Sequence, residues 1–247
     1  MPRRRLEASD NKYSRGVVAV AAGSSRFPGA SILAVGGARR GNAGYVKFLS
    51  RDSKLVDLVV TNFPDVVPIA SLEKERVDVL VVGPGGSRLP VIPLDLPIVL
   101  DGEMIKFAAT PQFKKRKAYS VITPHEGELK YLGGNYLAKL SEVGREKTAL
   151  QIADKFDVIV VLKGNKTVIA KPGGKFKVDR IGGPELATAG SGDLLAGLIG
   201  SMLASSATDP FDLVCDAVDI HSRAGQSAAT RFKSVTAVEI MESLARV

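Results

Sequence analysis

Short runs of apolar residues recur along the chain, and a glycine-rich or polar turn follows each of them. The first run, GVVAVAA, is apolar throughout, which indicates a strand buried on both faces of a sheet. Comparable runs predict strands at Gly16–Ala22, Tyr45–Leu49, Val77–Gly83, Pro97–Asp101, Tyr119–Thr123 and Asp157–Gly164. Such strands are typical of an α/β fold with a central, mostly parallel sheet and helices on both faces. We predict a single domain over residues 1–247.

Helical periodicity dominates the last third of the chain, where apolar residues recur every three or four positions. The predicted helices span Gly29–Gly41, Asp193–Ala204, Pro210–Arg231 and Val235–Arg246. A PGG turn joins Thr167–Lys171 to Lys175–Asp179 in a predicted hairpin. His221 shares an apolar helical face, so we expect it to be packed and hydrogen-bonded in the core.

The segment ELATAGSGDLLAG places a glycine turn directly before a predicted helix. Gly190, Ser191 and Gly192 have little or no side chain, so their N–H groups can approach a ligand closely at a helix end that attracts anions. Asp193 has two interpretations, a helix-capping carboxylate or a general base beside a phosphate. The turns GSSRFPGA, GPGG, TPHEGEL and KGNKT follow strands at the same sheet edge. Because ligands bind at that edge in open α/β sheets, we favour the general base.

Composition narrows the class of protein. No apolar run approaches the ~20 residues of a membrane span, and no signal peptide follows the basic start MPRRR. One cysteine, Cys215, excludes an internal disulfide framework and favours a reducing, cytoplasmic location, with the thiol buried in packing. The net charge of +8 favours anionic small molecules such as nucleotides. Basic residues cluster only at Lys114–Lys117, a predicted solvated loop, so we expect neither a nucleic-acid nor a membrane partner.

Five segments occur in an order that resembles the ADP/ATP-dependent NAD(P)H-hydrate dehydratases, a branch of the ribokinase-like superfamily. They read GPGG, TPHEGEL, VVLKGNKTVIA, LATAGSGDLLAG and AVDIHSRAG, and the resemblance covers nearly the whole chain. A Gly-x-Gly-Asp motif marks only the superfamily, whereas the combination is much more specific. The resemblance implies an enzyme that dehydrates NADH or NADPH whose nicotinamide ring has gained water at C6, with hydrolysis of ADP or ATP.

The resemblance also implies roles for individual residues. Asp193 would accept the proton of the substrate hydroxyl, and Gly190, Ser191 and Gly192 would form an anion hole. The nucleotide would be bound by Lys163, Gly164, Asn165, Lys166, Thr167 and Gly192. The hydrated dinucleotide would contact Ala30, Gly85, His125 and Asp193. Mg²⁺ would accompany the nucleotide through ligands that the sequence does not identify, and a homo-oligomer, a tetramer, is implied.

Two of these residues also carry expectations of their own. Lys163 ends an apolar strand, where burying its ammonium without an anion is costly, so we expect it beside the nucleotide phosphates. His125 is expected on the far side of the phosphoryl-transfer point from Lys163, against the hydrate; its alternative is a turn histidine bonded locally. Glu126 and Glu128 are candidate metal ligands or ordinary carboxylates at a helix start.

The chain departs from the family pattern in three places. The stretch between Gly85 and Pro97 is short, so a helix usual in the family is predicted to be reduced or missing. LDGEM stands where Asp-Ala-Asp or Asp-Ala-Gly is commoner, with Glu103 at the variable place. AGSGD stands where GGTGD is usual, and the family's fused epimerase domain is not found in these residues.

Two alternatives remain open at this point. A small-molecule kinase resembling hydroxyethylthiazole kinase would share the glycine turn and Asp193 but keep the phosphate on its product. A nucleotide-binding sensor or nucleic-acid module would use the positive charge and leave Asp193 as a cap. The compact form of the chain is prokaryotic in style, and ADP is the usual donor in prokaryotic members of the family. The sequence does not settle the choice between ADP and ATP or between the two hydrates.

Overall fold

A computed structural model describes residues 6–247, so the basic start at residues 1–5 lies outside the described residues. The strands are β1 (Val17–Ala21), β2 (Tyr45–Leu49), β3 (Val67–Ile69), β4 (Val79–Val82), β5 (Ile98–Leu100), β6 (Ser120–Ile122), β7 (Ile159–Leu162), β8 (Val168–Ala170) and β9 (Phe176–Val178). The α-helices are α1 (Gly29–Ala38), α2 (Ser53–Asn62), α3 (Tyr136–Phe156), α4 (Ser191–Ala204), α5 (Pro210–Arg231) and α6 (Ala237–Ser243). Short 3-10 helices lie at Pro84–Gly86, Gly102–Ala109, Phe113–Lys115, Glu126–Leu132 and Pro184–Leu186.

The nine strands form one sheet in the order β3-β2-β1-β4-β5-β6-β7-β8-β9. Strands β1 to β7 pair in parallel, and β8 and β9 extend the sheet as an antiparallel hairpin after β7. The order reverses at β1, where the chain first builds outward to β3 and then continues from β4 on the other side. In open α/β sheets, such a switch point creates a crevice at the carboxyl ends of the strands.

Side chains of the sheet alternate between two apolar layers. Val18 and Val20 of β1 point into a layer formed with α1, α2, α4, α5 and α6. Ala19 and Ala21 point into the opposite layer, which α3 and the 3-10 helices cover. Burial on both faces explains why the strands are apolar throughout, and it confirms the predicted α/β fold with a central, mostly parallel sheet and helices on both faces.

The predicted strands and hairpin are all present, with ends that differ by two residues or fewer. Among the α-helices and strands, three were not predicted: α2, α3 and β3. Strand β3 reads VPI, and a proline is tolerated there because β3 lies at the edge of the sheet. Helix α3 contains Gly144 in a left-handed conformation (φ 85°), which interrupts its periodicity. As predicted, no α-helix forms between Gly85 and Pro97; only the 3-10 turn at its start is regular.

The structure confirms the predicted burial of Cys215 and corrects part of the prediction for Lys114–Lys117. Cys215 is 5% exposed, which confirms its burial. The prediction of a solvated loop at Lys114–Lys117 is wrong for Arg116. Its guanidinium is half-buried and donates to the carbonyl of Leu96 (2.6 Å) and the hydroxyl of Ser120 (2.8 Å), so it secures the chain before β6. No helix among residues 6–247 is both long and apolar enough to cross a membrane.

Helices α1 and α4 approach so closely that their backbones touch. A Cβ atom added to Gly197 would lie 1.8 Å from the carbonyl oxygen of Ala34, and one added to Gly37 would lie 2.0 Å from that of Leu194. Gly37 of α1 and Gly197 of α4 each lie against the backbone of the other helix, and their lack of a side chain allows this contact. Gly200 on the same helix lies against Val81 of β4, so α4 is also pressed onto the sheet. This packing positions the amino end of α4 at the crevice.

We expect Gly197→Ala to lower the free energy of unfolding by about 1–3 kcal/mol, because the added methyl group must displace a helix backbone. Urea unfolding followed by circular dichroism measures the change. Gly29→Ala is the matched control, because Gly29 also lies in a helix but has no atom within 4 Å of the added Cβ. Equal stability of the two variants would contradict the close α1–α4 contact.

Candidate active site

A buried cluster of charged side chains lies at the carboxyl ends of β5, β6 and β7. The ammonium of Lys163, directly after β7, lies 2.8 Å from Asp101 Oδ1 and 3.7 Å from Glu128 Oε2. Asp101 follows β5 and is 4% exposed. Its Oδ1 also accepts a hydrogen bond from the Thr123 hydroxyl (2.6 Å), which belongs to the turn after β6. The anion expected beside Lys163 is therefore supplied by the protein itself.

Asp101 and Thr123 were not among the predicted site residues. Asp179 was also missed: it is 5% exposed and accepts from the Ser222 hydroxyl (2.6 Å) and from the N–H of Ile181 (2.9 Å). Asp101 and Asp179 each directly follow a strand, and a carboxylate at the end of a buried strand is the sequence signal that could have identified them.

The amino end of α4 has the geometry of a ligand-facing turn. Gly190 precedes the helix with a left-handed φ of 89°, and no side chain caps the helix. Asp193 instead lies in the first turn, where the nearby backbone N–H of Gly85 acts to lower its pKa. Gly190 is thus the N-cap residue, and Asp193 is the third residue of the helix. Of the three predicted anion-hole residues, Ser191 already donates its N–H to the carbonyl of Thr188 (3.3 Å).

Burial, and after it the nearby charge of Asp101, together raise the pKa of Asp193 to about 7, while the charge of Lys163 opposes the shift. Burial also raises the pKa of Glu128. Burial lowers the pKa of Lys163, but the charges of Asp101 and Glu128 outweigh it and hold that pKa above its usual value. One ammonium thus faces three carboxylates, and Asp193 can exchange a proton near neutral pH.

A cavity of about 530 Å³, the β7 cavity, opens between β7, α4 and α5. Five of the predicted nucleotide-binding residues line it: Lys163, Gly164, Asn165, Thr167 and Gly192. Lys166 is not among its lining residues. A Cβ on Gly192 would lie 3.1 Å from the Lys163 ammonium, so the glycine leaves the lysine room at the helix start. The floor is formed by Leu195 and Val218, and the volume suits a small-molecule ligand.

A second cavity, the β1 cavity, measures about 660 Å³ and lies beyond the carboxyl ends of β1, β2 and β3. Gly23, Ser24 and Gly86 are among its lining residues. Gly85 lies between the two cavities and packs on Ala30, since a Cβ on Gly85 would lie 2.4 Å from that of Ala30. The fold therefore brings Ala30 and Gly85 into contact, and the contact of these residues with the hydrate stays a prediction.

The two histidines occupy different environments. His221 is 4% exposed and its Nε2 lies 3.2 Å from the Ser191 hydroxyl, which confirms the predicted core histidine. Burial lowers the pKa of His221 to about 4, so its ring is neutral at physiological pH. His125 is exposed, and its Nδ1 accepts from the N–H of Gly127 (3.0 Å). His125 pairs with Lys163 in a parallel bridge and lines the β7 cavity, so the prediction that the two lie on opposite sides is wrong.

The described residues do not fit a metal site built from protein ligands alone. Within residues 6–247, no group of three or more His, Cys, Asp and Glu side chains could hold an ion. Glu126 forms an ion pair with Arg145, and Glu128 accepts from the N–H of His125 (2.8 Å). Mg²⁺ commonly binds through substrate phosphates with few protein carboxylates, so a nucleotide would bring it as part of the substrate.

Because the pKa of Asp193 is raised in the folded state, ionisation of this carboxyl lowers the free energy of unfolding. The folded state holds the proton more tightly than the unfolded state, so this contribution to stability is lost as pH rises from about 4 to 7. The shift from 3.8 to about 7 limits this contribution to the free energy of unfolding to ~4 kcal/mol, and partial solvent contact reduces it.

We expect Asp193→Asn to be more stable than the native chain by about 1–3 kcal/mol at pH 8 and by less at pH 5. Urea unfolding at both pH values tests this; destabilisation at pH 8 would indicate a capping carboxylate after all.

Comparison with protein families supports the resemblance seen in the sequence. The family model described as NAD(P)H-hydrate dehydratase matches residues 18–246. The bifunctional NAD(P)H-hydrate repair enzyme of Mycobacterium leprae is 36% identical over 207 residues, covering 79% of this chain and 42% of that protein. Its namesake from Gloeobacter violaceus is 33% identical over 246 residues, covering 91% and 47%. The chain thus spans less than half the length of these curated relatives.

Solved structures agree with the fold. The ADP/ATP-dependent NAD(P)H-hydrate dehydratase from Bacillus subtilis, co-crystallised with ATP and Mg²⁺, matches with a TM-score of 0.86 at 27% identity, covering 98% of this chain and 92% of that chain. A hydroxyethylthiazole kinase from Pyrococcus horikoshii covers 96% of this chain and 90% of its own at a TM-score of 0.56 and 15% identity, which shows a shared fold alone. Because the family model matches residues 18–246, nearly the whole chain, we conclude that this chain belongs to the NAD(P)H-hydrate dehydratase family and has its ribokinase-like fold.

Proposed function

We propose that this protein dehydrates hydrated NADH or NADPH back to the reduced dinucleotide, with ADP or ATP as phosphoryl donor. The observation that carries the proposal is Asp193, a half-buried carboxyl whose pKa is raised to about 7, held directly after a glycine turn that lines the β7 cavity. Family membership and the relatives' names support the same activity.

The first step is phosphorylation of the substrate alcohol. Asp193 accepts the proton of the C6 hydroxyl while the hydroxyl oxygen attacks the terminal phosphorus of the nucleotide, and the bond from phosphorus to the nucleotide oxygen breaks. Free N–H groups at the start of α4 donate to the phosphoryl oxygens as charge develops on them. Lys163 supplies a positive charge beside this position while remaining paired with Asp101.

The second step removes the phosphate. Hydroxide is a poor leaving group and phosphate a good one, so the lone pair of the ring nitrogen expels phosphate from C6. Loss of a proton from C5 then restores the double bond of the reduced nicotinamide. Water is thereby removed in two stages, and the nucleotide is hydrolysed to one phosphate and the shortened nucleotide.

The two cavities give each substrate a place. The β7 cavity takes the nucleotide, since Lys163, Gly164 and Thr167 line it. The hydrate extends from Asp193 past Gly85 towards the β1 cavity. His125 lies at the rim of the β7 cavity, so its contact with the hydrate stays a prediction, as does the tetramer. Mg²⁺ accompanies the nucleotide phosphates as part of the substrate.

The fate of the phosphate tests the proposal. Purified protein with Mg²⁺, ADP or ATP, and each hydrate in turn should restore the absorbance of the reduced nicotinamide. Free phosphate should appear in a one-to-one ratio with restored dinucleotide. If no hydrate is restored, and the protein instead phosphorylates a small heterocyclic alcohol and leaves the phosphate on it, the kinase alternative replaces the dehydratase.

A second prediction concerns Asp193 as the base. We expect Asp193→Asn to reduce kcat by about 10²–10⁴-fold, the usual contribution of a general base, with nucleotide affinity unchanged or tighter. In the native enzyme, kcat/KM should rise with pH through about 7, because only the ionised carboxylate accepts a proton. Asp57→Asn, which changes an exposed carboxylate on α2, is the control. Turnover by Asp193→Asn at the native rate would exclude Asp193 as the base.

A further inference from the structure

The side chain of Arg145 holds the backbone of the KGNKT loop from outside the β7 cavity. Its Nη2 donates to the carbonyl oxygens of Leu162 and Lys163, both at 3.0 Å, and its Nε donates to that of Lys166 at 3.2 Å. Its Nη1 forms an ion pair with Glu126. One guanidinium therefore spans the end of β7 and the turn that follows it.

The interruption of α3 explains how Arg145 reaches this loop. Gly144 adopts a left-handed conformation (φ 85°), and the chain resumes its helix at Arg145. The Thr148 hydroxyl donates to the carbonyl of Gly144 (2.8 Å) and stabilises this break. A Cβ on Gly164 would lie 2.6 Å from Nη2 of Arg145, so the guanidinium lies directly against the glycine. Both glycines are needed for the contact.

We propose that Arg145 is a positioning residue that pre-forms the nucleotide-binding loop Lys163–Thr167 without touching the nucleotide. This inference rests on the proposed use of the β7 cavity for the nucleotide. A planar guanidinium with several donors can hold carbonyls on both sides of a turn at once, whereas a lysine ammonium is a single point of charge. A loop held in its binding conformation loses less entropy when the ligand arrives, so its affinity is higher.

The contacts predict a graded series of variants. Arg145→Lys keeps the charge but cannot span all three carbonyls, so we expect its dissociation constant for ADP to rise about tenfold, the loss of one charge-assisted hydrogen bond. Glu126→Gln keeps the carbonyl contacts and should bind ADP within about twofold of the native protein, as expected for an exposed ion pair. Lys147→Ala, two residues further on α3 and exposed, is the matched control.

Calorimetric titration with ADP measures affinity, and steady-state kinetics separates KM from kcat. The KM of Arg145→Lys for nucleotide should rise while kcat stays within about threefold of the native value, as expected when only binding is lost. The pH at which kcat/KM is half-maximal should not change, because Asp193 keeps its neighbours. Gly164→Ala, whose Cβ displaces the guanidinium, should weaken ADP binding in the same direction and serves if Arg145→Lys does not fold.

Several outcomes would overturn the positioning role. These are native ADP affinity in Arg145→Lys, a loss of kcat with unchanged KM, or an equal loss in Glu126→Gln. If the native protein binds ADP but restores neither hydrate, the proposed dehydratase activity fails, while the ADP titrations still decide the role of Arg145. If the native protein binds neither ADP nor ATP, both proposals fail.

Discussion

The chemistry of this protein depends on one buried ammonium that faces three carboxylates. Lys163 is held by Asp101 and lies within reach of Glu128, and it also acts on the charge of Asp193. A single positive charge cannot stabilise three negative ones in a poorly solvated site, so the carboxyls compete for ionisation. Asp101 makes the shortest contact with Lys163, while burial first and the charge of Asp101 second raise the pKa of Asp193 to about 7. A carboxyl that would ordinarily be fully ionised at neutral pH can therefore exchange a proton there, as the proposed base must.

The position of that base depends on the packing of helices far from any ligand. Gly37 and Gly197 allow α1 and α4 to touch through their backbones, and this contact fixes the position of α4, which carries Asp193. Gly85 itself lies on Ala30 of α1, so the same helix pair shapes both sides of the turn. The site is therefore built on rigid elements, and its loops are tied to them by Thr123, Asp179 and Arg145.

Kinases of the same fold and the dehydratase proposed here would share the first chemical step. Both need an anion-binding turn, a base at the start of a helix and a cavity for the nucleotide, all of which lie around α4. The difference lies in the substrate, because only a ring nitrogen next to the phosphorylated carbon can expel the phosphate. For this reason, the fold by itself does not distinguish the two activities, and the fate of the phosphate does.

The sequence by itself determined the parallel sheet and the place of α4, because apolar runs, helical periodicity and glycine turns are local signals. The role of Asp193 as a base stays a prediction. The sequence did not reveal that Lys163 pairs with Asp101, since 62 residues separate them and only the parallel sheet, in which β6 lies between β5 and β7, brings the ends of their strands to one edge. For the same reason it misplaced His125, which the bridge to Lys163 brings beside the residue it was expected to oppose. Helix α3 escaped prediction because Gly144 interrupts its period, and with it Arg145. The raised pKa of Asp193 was decided only by tertiary structure, because desolvation and neighbouring charge arise only when distant segments meet.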